Sequence, residues 1–108
     1  MYSDKDINEV KEIILNIVKP EEIILFGSYA NGTNNDRSDI DIIVLLKNKL
    51  LRKERIEYLR HLYRMFYEKN LEVDIILKNK KYYEDTKKYI GTVNYDISKN
   101  GRTLWKKN

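Results

Sequence analysis

The chain has no cysteine among its 108 residues, which excludes disulfides, zinc–thiolate centres and thiol nucleophiles. It also has no run approaching the roughly 20 apolar residues of a membrane span, and its N-terminus lacks the features of a signal peptide. A cytoplasmic protein with no membrane partner is the expectation. Proline occurs once and glycine four times, so the few glycines that interrupt apolar segments are informative turn markers. Apolar residues make up 42% of the sequence, enough for one core but not two. A single domain over residues 1–108 is therefore expected.

What the chain does have is a run of short, β-branched segments interrupted at defined points. Glu22-Ile23-Ile24-Leu25-Phe26 stops at Gly27-Ser28 and reads as a buried strand ending in a tight turn. Gly27 lets backbone N–H groups approach an anion, and the Ser28 hydroxyl adds a donor. Ile40 to Leu46 reads as a second strand, preceded by Ser38-Asp39 and carrying Asp41. Because side chains alternate along a strand, Asp39 and Asp41 point the same way. Aspartate is depleted in strands, and adjacent carboxylates repel unless a cation lies between them. A third acid, Asp74, interrupts Leu71 to Leu77 on the face opposite Val73, Ile75 and Leu77. If these two strands are neighbours, three carboxylates converge into an oxygen donor set suited to Mg²⁺. Two such ions about 4 Å apart would activate an attacking oxygen and neutralise a leaving pyrophosphate.

Gly27 and Gly32 have the separation of a P-loop, but Thr33-Asn34 stand where that motif requires Lys followed by Ser or Thr. A P-loop ATPase or kinase is excluded. Elsewhere, Ile7, Val10, Ile13, Ile14 and Ile17 have helical spacing, with Ser3 or Asp4 as N-cap and Pro20 as terminator. Leu50 to Glu68 reads as a long helix whose Ile56, Leu59, Leu62, Tyr63 and Phe66 form a core-facing stripe. A polar helix from about Lys80 to Ile90, a short helix near Tyr95 to Lys99 and an edge strand at Thr103-Leu104-Trp105 complete the expectation.

The ordered set Gly27, Ser28, Ala30, Gly32, Ser38, Asp39, Asp41 and Asp74 resembles the pattern of the minimal nucleotidyltransferases of the DNA polymerase β superfamily, over nearly the whole chain. The departure is Asn31, where many relatives carry Arg. The resemblance implies an α/β (α+β) nucleotidyltransferase fold, with a small mixed β-sheet flanked by helices. It implies catalytic and metal-binding roles for Asp39, Asp41 and Asp74, nucleotide binding by Gly27, Ser28 and Ser38, and two Mg²⁺ ions with ATP as substrate. It further implies the antitoxin member of a HEPN/MNT toxin–antitoxin pair, which transfers AMP to a tyrosine of a small helical HEPN-type partner. Neutralisation of that partner by contact alone is the first rival reading. Nucleotidyl transfer to RNA or a small molecule is another, and homodimer and hetero-oligomer both remain open.

Charge divides the chain unevenly: residues 1–48 hold 5 Lys/Arg against 9 Asp/Glu, and residues 49–108 hold 16 against 8. A basic surface of this kind attracts nucleotides or acidic partners. Nucleic acid is the less favoured partner, since the sequence lacks clusters of interleaved aromatic and basic residues. His61, the only histidine, is expected at a surface or helix-packing position, and Arg37 as a solvated loop charge. Trp105 is expected to lid the core. Tyr82 and Tyr83 are a minority choice for a self-modified hydroxyl.

Overall fold

The computed structural model describes residues 1–108. Ser3 opens the first helix, α1 (Asp4–Ile17), by accepting a bond from the Asp6 N–H while the Asp6 carboxylate accepts from the Ser3 N–H. This reciprocal arrangement satisfies two donors that the helix leaves unpaired. The chain continues through β1 (Glu22–Phe26), α2 (Ser28–Asn31), β2 (Ile40–Leu46) and α3 (Arg52–Glu68). It ends with β3 (Val73–Asn79), α4 (Lys80–Thr86), α5 (Val93–Asn100) and β4 (Arg102–Lys106).

The four strands form one mixed sheet in the order β3-β2-β1-β4. β1 runs antiparallel to β2 and β4, while β2 and β3 are parallel. A parallel pair needs a crossover, and α3 supplies it. Ile40, Ile42, Val44 and Leu46 of β2 pack with Val73, Ile75 and Leu77 of β3 against α1 and α3. The alternate residues Ile43 and Leu45 pack on the other face with Ile24, Tyr83 and Ile97. The sheet is thus sandwiched between α1/α3 and α4/α5, the mixed α+β architecture expected from the sequence.

Several boundaries differ from expectation for local reasons. α3 ends in a left-handed turn at Asn70 (φ 57), with the Leu71 N–H donating to the Phe66 carbonyl and Asn70 N–H to that of Tyr67. In this Schellman arrangement Leu71 inserts into the core as part of the helix stop, so β3 starts at Val73 rather than Leu71. The expected helix from Lys80 to Ile90 stops at Thr86, whose hydroxyl donates to the Tyr82 carbonyl and accepts from Asn94. Thr92 then caps α5 by accepting from the Tyr95 N–H, which moves that helix start forward to Val93. α3 itself starts at Arg52, not Leu50.

The expected α3 stripe is only partly correct. Leu62 and Phe66 are buried, but Ile56 and Tyr63 are 43% and 40% exposed. Tyr63 instead reaches the free edge of β3, where its hydroxyl accepts from the Ile75 N–H at 2.9 Å. Arg55 donates to the neighbouring Leu77 carbonyl. Together they cap backbone groups that an edge strand would otherwise present for pairing. Trp105 is half-buried and packs against the larger core, as expected of a lid.

Candidate active site

The topology brings the acids to one end of the sheet. Phe26, the last residue of β1, pairs with Asp41, and Asp41 pairs with Asp74. Facing residues on adjacent strands lie about 4.8 Å apart, and Asp39 precedes Asp41 by roughly 7 Å of extended chain. Asp41 and Asp74 project to the α4/α5 face, since the even-numbered residues of β2 and the odd-numbered residues of β3 fill the α1/α3 core, and Asp39 stands just before β2. Asp74 is exposed, and Asp39 and Asp41 are half-exposed.

Their fields overlap. Partial burial, then the charge of Asp74, then that of Asp39, pushes the Asp41 carboxyl above its ordinary value of 3.8. Such mutual repulsion is the condition that a divalent cation relieves. No group of three or more His, Cys, Asp or Glu side chains closes around a single point. Open carboxylates of this kind fit Mg²⁺, which keeps waters and substrate phosphates among its ligands and seldom sits in an all-protein cage.

Gly27 is the residue against which Asp41 rests. A Cβ at that position would collide with Asp41 Oδ2 and fall 3.1 Å from Asp41 Cγ. Its backbone, at φ 71 and ψ −154, occupies a region essentially reserved for glycine. Ser28 begins α2, and the Gly27 carbonyl accepts from Ala30 and Asn31 N–H. The N–H groups at the start of this turn have no intrahelical acceptors. Gly32 ends α2 in a left-handed conformation, φ 79 and ψ 12.

Ser38 immediately precedes Asp39. Its hydroxyl accepts from the Asn35 N–H at 2.9 Å and shapes the loop that delivers Asp39. Asn31 accepts from the Thr33 N–H, holding the local turn. Arg37 is exposed in the loop, and His61 is exposed on α3, both as expected. Tyr83 is buried, and burial, with Glu22 and Glu84 nearby, pushes its hydroxyl up to about 12. It is thereby removed as a self-modified group.

The sequence reading missed two contributions. Glu72 lies two residues before Asp74, the same spacing as Asp39 and Asp41, and it lines a cavity of about 380 Å³ with Asp39, Asp74, Tyr63 and Tyr67. That spacing was visible in the sequence. The second is a clamp by the N-terminal residues. The Tyr2 hydroxyl accepts from the Glu72 N–H, and the Tyr2 N–H donates to the Tyr29 hydroxyl. Tyr2 thus ties α2 to the start of β3. A separate surface hollow of about 590 Å³ lies along α3, where Lys53, Arg60 and Arg64 alternate with Glu54 and Glu57.

The family described as the nucleotidyltransferase domain matches residues 7–101. A protein of Methanocaldococcus jannaschii, provisionally named a protein adenylyltransferase, is 41% identical over 51 residues, which are 45% of this chain and 52% of that protein. The chain thus spans about half the length of the curated relative it matches. A toxin–antitoxin crystal structure with AMP-PNP superposes with a TM-score of 0.64 at 24% identity, over 94% of this chain and 73% of the other. An antitoxin complex of Shewanella oneidensis, with a tri-AMPylated HEPN toxin, gives 0.58 at 23% identity, over 93% and 69%. At these identities the two structures establish the shared fold.

Proposed function

Because the chain belongs to the nucleotidyltransferase domain family, we propose that it transfers AMP from ATP to a hydroxyl of a protein acceptor, a tyrosine of a HEPN-type toxin. It would act as that toxin's antitoxin, with residues 1–108 acting as a single catalytic domain. The observation that carries the reading is the in-register placement of Asp41 beside Asp74, with Gly27 packed on Asp41. The names of the Methanocaldococcus relative and of the structural neighbours support the choice of nucleotide and partner.

In this mechanism the backbone N–H groups of the Gly27-Ser28 turn and the Ser28 hydroxyl hold the triphosphate. Ser38 fixes the approach of the loop to Asp39. Asp39 and Asp41, with Asp74 for a second ion, would hold Mg²⁺, which supplies charge neutralisation at the phosphates when bound. Asp74, the most exposed of the three, takes the proton from the acceptor hydroxyl. The acceptor oxygen forms a bond to the α-phosphorus as the bond to the pyrophosphate oxygen breaks. AMP remains on the acceptor and pyrophosphate leaves.

The test is transfer of label from ATP marked at the α-phosphate to a HEPN-type protein in the presence of Mg²⁺. Label should reach the partner from α-marked but not γ-marked ATP, and Asp39→Asn should abolish it without loss of fold. Partner neutralisation that persists unchanged in a folded Asp39→Asn variant would transfer the assignment to contact-only inhibition. Label on RNA and not on protein would assign a different acceptor.

A further inference from the structure

A second charged site lies at the opposite end of β3. Four cations from four successive elements surround one hollow of about 500 Å³: Lys49 from the loop after β2, Arg55 from α3, Lys78 from β3 and Lys81 from α4. Asp85 is the one carboxylate lining it. None of these five residues takes part in any of the ion pairs of the molecule. Arg55 is held in place by donating to the Leu77 carbonyl. Asn79, whose side chain donates to the Lys47 carbonyl and accepts from the Tyr82 N–H, fixes the loop and α4 on either side.

The fold therefore holds four like charges together with one carboxylate, Asp85, to offset them and no ion pair among them, an arrangement that raises the local concentration of anions. Lys78 shares a sheet face with Asp74 and follows it by four residues, about 13 Å along the strand, so the hollow is separate from the carboxylate site. Its volume falls in the roughly 300–1,000 Å³ range of small-ligand sites. The excess of cations calls for a compact, multiply charged anion. Tyr82 adds an aromatic ring that is 54% exposed, with the Lys78 ammonium 5.2 Å from its centroid.

We propose that this hollow binds an oligophosphate, either a free phosphate chain or the phosphates of a nucleotide whose base rests on Tyr82. The proposal is independent of the transfer reaction, and the experiment keeps it so. Tripolyphosphate is titrated calorimetrically into the full chain at 0.15 M salt, after divalent metal has been stripped from protein and buffer on a chelating resin, so that the carboxylate site repels anions. Saturable binding near one per chain is expected, weakened about tenfold or more in Lys49→Glu/Lys81→Glu. Both of those lysines are exposed, so folding is not at stake. Lys53→Glu/Arg64→Glu, on the other α3 hollow, should leave the affinity within about twofold. ATP binding tighter than tripolyphosphate, with the excess lost in Tyr82→Leu, assigns a nucleotide. Equal affinities assign the phosphate chain alone. Binding that does not saturate, or that falls equally in both double variants, overturns the proposal.

Discussion

Replacing Gly27 with alanine tests the contact on which the proposed transfer site is built. Two costs add. Alanine must adopt φ 71 and ψ −154, a region that costs a residue with a Cβ about 1–3 kcal/mol. The new methyl would also collide with Asp41 Oδ2 and meet Asp41 Cγ at 3.1 Å. Asp41 must then leave its rotamer, at about 0.5–1.5 kcal/mol. The expected total is roughly 2–4 kcal/mol, a large part of the ~5–15 kcal/mol that stabilises a domain. Gly32→Ala is the control. Gly32 has φ 79, and a methyl added there would meet nothing within 4 Å beyond its own chain neighbours, so only a backbone cost of about 1–2 kcal/mol applies. The second measurement is a double-mutant cycle by urea denaturation. In an Asp41→Ala background the Cγ and Oδ2 are gone and the nearest Asp41 atom is Cβ at 3.3 Å. Gly27→Ala should then cost less by about 1 kcal/mol. Equal costs in the two backgrounds would refute the claim that the Asp41 carboxylate rests on Gly27.

Asp41→Asn should stabilise the fold at neutral pH while abolishing transfer. The folded chain holds the Asp41 proton to a higher pH than its ordinary 3.8, so it binds more protons than the unfolded chain just above that value. Stability therefore falls as pH rises through that window, and the penalty is absent below it. The gain, on the order of 0.5 kcal/mol for a partly exposed charge, should vanish below pH 3.8 in paired melts at each pH. A gain that grew on acidification would contradict the sign. Phe66→Ala, at a side chain only 1% exposed, should cost about 3–5 kcal/mol, whereas Ile56→Ala should stay near 0.5 kcal/mol or less. Urea midpoints of the two variants decide whether α3 faces the sheet as described. Tyr63→Phe removes the acceptor of the Ile75 N–H and should cost about 0.5–1.5 kcal/mol. Faster hydrogen exchange at the Ile75 amide is the specific sign, and unchanged exchange would show the cap to be idle.

The local pattern of the chain determined much of this protein. Apolar β-branched runs named β1, β2 and β3, because alternation along a strand is a property of two adjacent peptide units. Ser3 or Asp4 marked the start of α1 locally, and the capping pair of Ser3 with Asp6, three residues on, selected Ser3. Thr33-Asn34 excluded a P-loop without any knowledge of the fold. Strand pairing and register are different in kind, since they join segments far apart in sequence. That Asp41 lies opposite Asp74 depends on the α3 crossover and on a register that a slip of one residue would reverse. Helical spacing gave the α3 stripe a width but not its direction. Packing against the sheet buried Leu62 and Phe66 and turned Tyr63 to the β3 edge. Tyr83 and Tyr82 are adjacent in sequence, yet one is buried against the sheet and the other stands beside the basic hollow. The hollow's four cations span residues 49 to 81, and only the closing of loop, helix and strand at one end of the sheet places their charges around a common space.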